Sequence, residues 1–412
     1  MQSSYKPKKK FKLSFKLSKL KEFFEKEGAH QPDYTLVALI FVIVAFGLIM
    51  LWSASVVSGF QKFGDSYYYL KHQFFYGVIF GTAAFLVASK IHFSVWKKYA
   101  FPLVIATAFL LFLVLIPGVG TELLGARRWI VLGGLFFQPS ELAKLTFLIY
   151  IAFWLERRSE KGLKDITYGL MPFLFLLGIV GLLILLQPDM GTLTVIAVIS
   201  IVVYFIAGAP WKHLGIIGVG GAAIFALLVK IAPYRAARLT TFLNPELDPQ
   251  GIGYHINQAL LALGAGGIFG LGLGHSRQKF NFLPEPYGDS IFAIIGEELG
   301  FIIAVGVIAL FLIVMWRGIK IAKAAPDTFS RLLAVGVVTW ISFQAFVNIG
   351  SMISLLPMTG IPLPLISYGS TSLLTVLFSL GILINISKYT KYNINQKSSL
   401  SNKRLVKKYG KK

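Results

Sequence analysis

The residues best placed for chemistry are Glu285 and Asp289, within Pro284-Glu285-Pro286-Tyr287-Gly288-Asp289. Proline fixes φ and removes a backbone donor, so this stretch is stiff and non-helical. Asp289 stands where a long apolar helical pattern, 290–316, begins. A carboxylate held rigidly at the mouth of a helical bundle is suited to act as a general base. The same residue at a helix start also serves as a cap, and the turn alone leaves both roles open.

Other polar groups sit inside or beside apolar segments. Glu141 and Lys144 are three apart on one helical face and can pair; the pair either walls a substrate cavity or fixes helix packing. Arg127 and Arg128, followed by Trp129, offer guanidinium forks for phosphate oxygens, or stand as two solvated arginines on a loop. Asp189, after Gln187-Pro188, is placed to cap the next helix. Glu297 follows Asp289 by eight residues, so on one helix the two share a face and Glu297 is expected to line the same cavity; pairing elsewhere in the bundle, with its neighbour Glu298, is the alternative. Ser367 and Tyr368 lie in Gly360-Ile361-Pro362-Leu363-Pro364-Leu365-Ile366-Ser367-Tyr368-Gly369-Ser370, a proline-broken entry to the last apolar segment. Unwound backbone at that depth is tolerated where it lines a cavity, into which both hydroxyls can donate.

The elements that position these groups are membrane helices. Of 412 residues, 56% are hydrophobic, and the mean hydropathy is +0.70. That is too apolar for a soluble domain. There is no cysteine, which excludes disulfides and thiolate chemistry. The expected class is an all-α polytopic protein with ten spans: 35–57, 73–90, 100–117, 140–155, 168–186, 191–208, 213–231, 290–316, 332–353 and 363–387.

A formal charge of +22 would suit nucleic acid, but the basic residues cluster around the apolar segments. Most fall on the side of the two termini. The opposite connections hold only Lys62, Lys71, Arg127, Arg128, Arg235, Arg238, Arg277 and Lys279. By the positive-inside rule both termini are cytoplasmic, and the longest connection, 232–289, is extracytoplasmic. Chemistry at Asp289 then has no access to cytosolic ATP and needs an activated substrate. The chain divides into a basic arm (1–33) with an amphipathic pattern at Leu13, Leu17, Leu20 and Phe24, a membrane domain (34–387), and a basic tail (388–412). In the long connection, Gly264, Gly266, Gly267, Gly270, Gly272 and Gly274 lack a preceding strand and the dinucleotide fingerprint, so close packing or a re-entrant segment is the better reading than nucleotide binding.

Seven motifs in order, GARRWI at 125–130, QPSELAKL at 138–145, QPDMGT at 187–192, PYR at 233–235, LPEPYGD at 283–289, IGEELG at 295–300 and LPLISYGS at 363–370, resemble the shape, elongation, division and sporulation (SEDS) family. The resemblance runs from Ser53-Ala54-Ser55 to Gly369, nearly the whole membrane region. It implies ten membrane helices and a peptidoglycan glycosyltransferase that polymerises lipid II on the outer face of the bacterial cytoplasmic membrane. The family's essential aspartate maps to Asp289. The GARRW and IGEELG motifs lean towards the FtsW members, and the Gly-Ile-Pro-Leu-Pro-Leu run towards RodA. This sequence departs from the family pattern at Tyr287 and Gly288, where His and Thr are usual, at His255, where Gln is usual, and at Ser370, where Gly is usual.

With that activity, Asp289 is expected to position or deprotonate the acceptor hydroxyl, and Arg127, Arg128, Glu141, Lys144, Arg235, Glu285, Glu297, Ser367 and Tyr368 are the candidates around lipid II and the undecaprenyl diphosphate-linked strand. A Mg2+ or Mn2+ ion is expected at the diphosphate, with no ligand set identified by spacing and no nucleotide. The expected partners are a class B penicillin-binding protein, a transpeptidase, and other divisome or elongasome proteins. Two rival readings stay open: a flippase carrying lipid II outward, and a scaffold that recruits wall enzymes.

Overall fold

The computed structural model describes residues 29–123, 126–133, 135–231, 233–244 and 251–390. The amphipathic arm pattern, most of the basic tail and the turn-rich 245–250 lie outside the described residues.

Helix α1 (Tyr34–Phe63) leads into α2 (Tyr68–His72), a π-helical stretch (Gln73–Ile79), α3 (Phe80–Lys90) and α4 (Ser94–Leu115). Three strands follow, β1 (Gly120–Leu123), β2 (Ala126–Leu132) and β3 (Leu135–Phe137). Then come α5 (Pro139–Glu156), α6 (Glu160–Lys164), a second π-helical turn (Ile166–Leu170), α7 (Met171–Leu185), α8 (Met190–Ile206) and α9 (Trp211–Ile231). The long connection carries α10 (Pro233–Leu243) and α11 (Ile252–Gly266). The last helices are α12 (Ile291–Lys323), α13 (Thr328–Met352) and α14 (Ser370–Ser387).

Among the described residues eight helical segments are long and apolar enough to cross a membrane. The chain is therefore a multi-pass membrane protein. Ten spans require adding α8, apolar but only 17 residues long, and α5, whose 18 residues include Glu141, Lys144 and Glu156. Helices α13 and α14 are the most buried, with Trp340 and Leu380 fully enclosed. Helix α13 packs on α12, α8 and α5, and α14 on α3.

Three expectations are corrected. The fold is not purely helical: Arg127-Arg128-Trp129 lies in β2 of an antiparallel sheet ordered β1-β2-β3, because alternating residues such as Ile130 turn into the core while their neighbours stay outside. The connection 232–289 is not a plain loop but carries α10 and α11. The last helix begins at Ser370 rather than 363; Pro362 and Pro364, with Leu365 at φ 65° and Gly369 at φ 155°, keep the preceding segment irregular.

The glycine-rich run is stitched closely onto α12. Helix α12 breaks at Gly300 (φ 78°, ψ −179°). The freed groups are met by 267–272: Leu271 and Gly272 N–H donate to the Glu297 and Glu298 carbonyls (3.0 and 2.9 Å), and Phe301 N–H donates to the Gly267 carbonyl (2.9 Å). A side chain at Gly266 or Gly270 would overlap the α12 backbone. Irregular backbone at such depth survives only when protein satisfies it.

Gly300→Ala is thus expected to lower the thermal unfolding midpoint in detergent, by at least the ~1–3 kcal/mol of a strained backbone. Gly306→Ala, on the same helix with open space around it, is expected not to lower that midpoint and to raise it by the ~0.5–1 kcal/mol that alanine gains over glycine in a helix interior.

Candidate active site

Two irregular segments meet at the end of the bundle: 284–290, which enters α12, and 358–369, which enters α14. Between them and the long connection lies a cavity of about 280 Å³, lined by Arg238, Gly251, His255, Pro284, Asp289, Met358 and Gly360. Asp289 is partly buried and opens onto this cavity, with Oδ2 close against Gly360.

The capping role is not where the Asp289 carboxylate goes. The N-cap of α12 is Ser290, and no side chain caps that end. The Asp289 main-chain carbonyl accepts from the Asn348 amide of α13 (2.7 Å), and the same amide donates to the Ile361 carbonyl (2.8 Å). Burial, and then the neighbouring Glu285 charge, push the Asp289 carboxyl up to about 7, partly opposed by a backbone hydrogen bond, by the Ser290 hydroxyl and, least, by Arg238. A carboxyl group titrating there is matched to proton abstraction near neutrality.

Glu285 takes φ 44°, an uncommon conformation for a residue with a Cβ. Its carbonyl accepts from Gly288 N–H (2.9 Å), which closes the turn. Tyr287 fills the space behind that turn. Its ring stacks on Tyr69 at 4.1 Å, and its hydroxyl accepts from Tyr69 (3.0 Å) and Lys62 (3.2 Å). The Tyr287 phenol is held well above its ordinary range, chiefly by burial. Its carbonyl accepts from Tyr368 N–H (2.9 Å), which ties the two irregular segments together.

The other residues read from the sequence stand apart from the cavity. Lys144 and Glu141 form a buried ion pair (2.6 Å), with Lys144 also donating to Gln344 (3.2 Å) over the Trp340 ring. Gln344 in turn donates to the Pro362 carbonyl (2.9 Å), so the pair supports the 358–369 segment from behind. Arg127 pairs with Glu122 on the neighbouring strand (3.2 Å), while Arg128 donates to the Gln187 and Pro188 carbonyls. Asp189 does cap α8, accepting from Thr192 N–H (3.1 Å). Ser367 Oγ accepts from Leu363 N–H (2.8 Å) within its own segment.

Glu297 shares a helix with the Asp289 turn yet does not line its cavity. Its carboxylate accepts from Ser276 and from Arg277 N–H (2.8 Å), while Glu298 pairs with Lys279 (2.8 Å) and Ser53. The glycine stitch explains this, since it brings 274–279 against that face of α12. The side chain of Arg235 lies outside the described atoms.

Three cavity-forming residues escaped the sequence reading: Arg238, His255 and Asn348. Arg238 follows Arg235 by three residues, and helical spacing within Pro233–Leu243 would have marked it. His255 stood out only as a departure from a family pattern. Asn348 carried no signal, because an amide in an apolar helix reads as packing until its partners are known. Among the described residues no three His, Cys, Asp or Glu side chains converge as a metal cage would need.

With this geometry established, the chain matches the family model for FtsW, RodA and SpoVE, described as cell cycle protein, over residues 34–392. It is 43% identical over 361 residues to stage V sporulation protein E of Bacillus subtilis, covering 88% of this chain and 98% of that protein. It is 42% identical over 357 residues to a probable peptidoglycan glycosyltransferase FtsW of a Geobacter species, covering 86% and 96%. Among solved structures, a chain of a peptidoglycan synthase complex that coordinates polymerization and crosslinking superposes with a TM-score of 0.72 at 31% identity, covering 86% of this chain and 97% of its own. Rod shape determining protein RodA of Thermus thermophilus superposes at 0.65 with 31% identity, covering 87% and 98%. The ordered motifs, the shared fold and the near-complete coverage agree: this chain belongs to the FtsW/RodA/SpoVE family, and is FtsW-like within it.

Proposed function

We propose that this protein is a peptidoglycan glycosyltransferase that polymerises lipid II into glycan strands during wall synthesis. The observation that carries the reading is Asp289: a carboxyl group on a stiff turn, free of capping duty, opening onto a cavity and titrating near neutrality. The names of the relatives point to the same activity.

In this reading the chain crosses the bacterial cytoplasmic membrane ten times, with α5 and α8 as the short spans. Both termini face the cytoplasm, and the Asp289 cavity faces outward. The distribution of Lys and Arg supports that orientation.

One Asp289 oxygen accepts the proton of the acceptor's N-acetylglucosamine 4-hydroxyl. The hydroxyl oxygen, losing that proton, forms the new bond to the donor's anomeric carbon. The anomeric C–O bond to undecaprenyl diphosphate breaks, and the diphosphate leaves with the electron pair. At about 280 Å³ the cavity is at the small end of ligand pockets, so it takes part of a headgroup while lipid and strand extend beyond it. Arg238 is the cation that faces the cavity, and a guanidinium suits a diphosphate. Arg235, one turn away on α10, is assigned the same duty. No ligand set among the described residues fits the expected Mg2+ or Mn2+ ion, so no step is assigned to it.

The partner we assign is a class B penicillin-binding protein, since the structural neighbour works within a synthase complex. The buried Glu141–Lys144 pair favours structure over an ion or lipid path, which weakens the flippase reading.

In a lipid II polymerisation assay with the partner present, Asp289→Ala and Asp289→Asn are expected to reduce the rate by ~10²–10⁴-fold with unchanged unfolding. Polymer made at the wild-type rate by either variant overturns the assignment. Outward movement of lipid II in proteoliposomes without polymer would select the flippase instead. As a base, Asp289 must be ionised, and its carboxyl is raised to about 7. The rate is therefore expected to rise as pH increases through about 7, and an acidic limb near pH 4 would contradict this environment.

A further inference from the structure

Ser290 Oγ has three polar neighbours. His255 Nε2 lies at 2.6 Å, the Pro284 carbonyl at 2.8 Å, and Asp289 Oδ1 at 3.4 Å. A hydroxyl has one proton to give and two lone pairs to receive with. The Pro284 carbonyl has no proton, so its 2.8 Å contact is a hydrogen bond only if Ser290 donates. That spends the single Ser290 proton. The 2.6 Å contact with His255 then requires the imidazole to donate, which fixes the proton on Nε2 and the lone pair on Nδ1. The contact to Asp289 competes for the same proton and, at 3.4 Å, is the longest and weakest of the three.

We infer that His255 is a positioning residue for the base: by donating from Nε2 it holds the Ser290 hydroxyl on the Pro284 carbonyl and away from the Asp289 carboxylate. The inference rests on the reading of Asp289 as the base. Two consequences follow for the site. The turn is anchored at its first residue, Pro284, by the N-cap residue of α12. Asp289 also receives only the long 3.4 Å contact from Ser290, so its charged form is stabilised less and it is the stronger base.

A proton relay from Asp289 through Ser290 to His255 is the competing use of the same contacts, and it runs uphill. Burial, with Arg238 adding to it, pushes His255 down to about 4, while Asp289 stands at about 7. The imidazole is thus neutral in the working range and suited to hold a fixed tautomer. The charged groups facing Asp289 are Glu285 from its own turn and Arg238 from α10. The 358–360 segment and α13 present only uncharged Met358, Gly360 and Asn348. Neither Glu285 nor Arg238 is altered by the variants below.

The test uses the full chain and compares wild type with His255→Leu, His255→Gln, Ser290→Ala and the His255→Leu/Ser290→Ala double variant. Two readouts are taken: the pH–rate profile of lipid II polymerisation, and the infrared titration of the Asp289 carboxyl, identified by its loss in Asp289→Asn. In His255→Leu the Ser290 hydroxyl is released to Asp289, so both midpoints are expected to fall by about one pH unit. His255→Gln, whose amide still donates, is expected to restore the wild-type midpoint. The double variant is expected to restore it as well, since no hydroxyl remains to swing.

An unshifted titration in His255→Leu, or a shift that removing Ser290 does not reverse, overturns the inference. Should His255→Leu not fold, Ser290→Ala alone decides. A wild-type midpoint supports the inference, and a midpoint raised by about one unit shows that Ser290 was bonding Asp289 all along. The infrared titration needs no turnover, so an active Asp289→Asn variant would sink the functional reading and still leave the role of His255 measured.

Discussion

The site depends on one constraint: irregular backbone at the end of an apolar bundle must find its hydrogen bonds within the protein. Both walls of the Asp289 cavity are irregular, and neither could persist without partners from neighbouring helices. The Asn348 amide spans them, donating to the Asp289 and Ile361 carbonyls at once. Gln344, one turn away on the same helix, takes the Pro362 carbonyl. Gln73, from the π-helical stretch, donates to the Ser367 carbonyl and accepts from Gly369 N–H. Three buried amides thus replace the regular ladder the chain gives up here, and α13 is the frame on which both walls hang.

The same constraint explains why most of the buried charges stand away from the Asp289 cavity. Glu297 and Glu298 flank the break in α12, and their main-chain carbonyls accept from the glycine stitch while their side chains hold 276–279. Glu141 and Lys144 support Gln344. Removing one member of such a buried pair would leave an uncompensated charge, which costs more than the pair itself contributes. These residues keep the scaffold in one arrangement, and Asp289 is left as the carboxylate with an open side.

Much of the fold was legible because its signals are local. Apolar length marked the spans, Pro284 and Pro286 marked the stiff turn, and the i,i+3 spacing of Glu141 and Lys144 marked their pair. Asp189 announced its cap by following a proline ahead of an apolar run. The β-sheet was missed because its strands are three to seven residues long and lie between spans, too short for alternation to stand out. Glu297 was placed in the wrong cavity because helical periodicity assumes that Asp289 is on the helix and that the shared face is open, whereas α12 starts at Ile291 and 276–278 cover Glu297. Asn348 and Arg238 matter through tertiary partners, which no spacing encodes.

Two of the departures from the family pattern, Tyr287 and His255, touch the same turn from different sides. Tyr287 is anchored through its hydroxyl to Tyr69 and Lys62, and His255 through Ser290 to Pro284. A buried phenol needs a partner for its hydroxyl, and here it has two from helices α1 and α2. An imidazole in place of an amide at 255 offers one donor in a fixed plane, with no amide to flip. Both changes alter how the turn is held, while the reacting carboxylate keeps its place. On the proposed reading the chemistry is set by Asp289 and its burial, and Tyr287 and His255 set the grip on the turn that carries it.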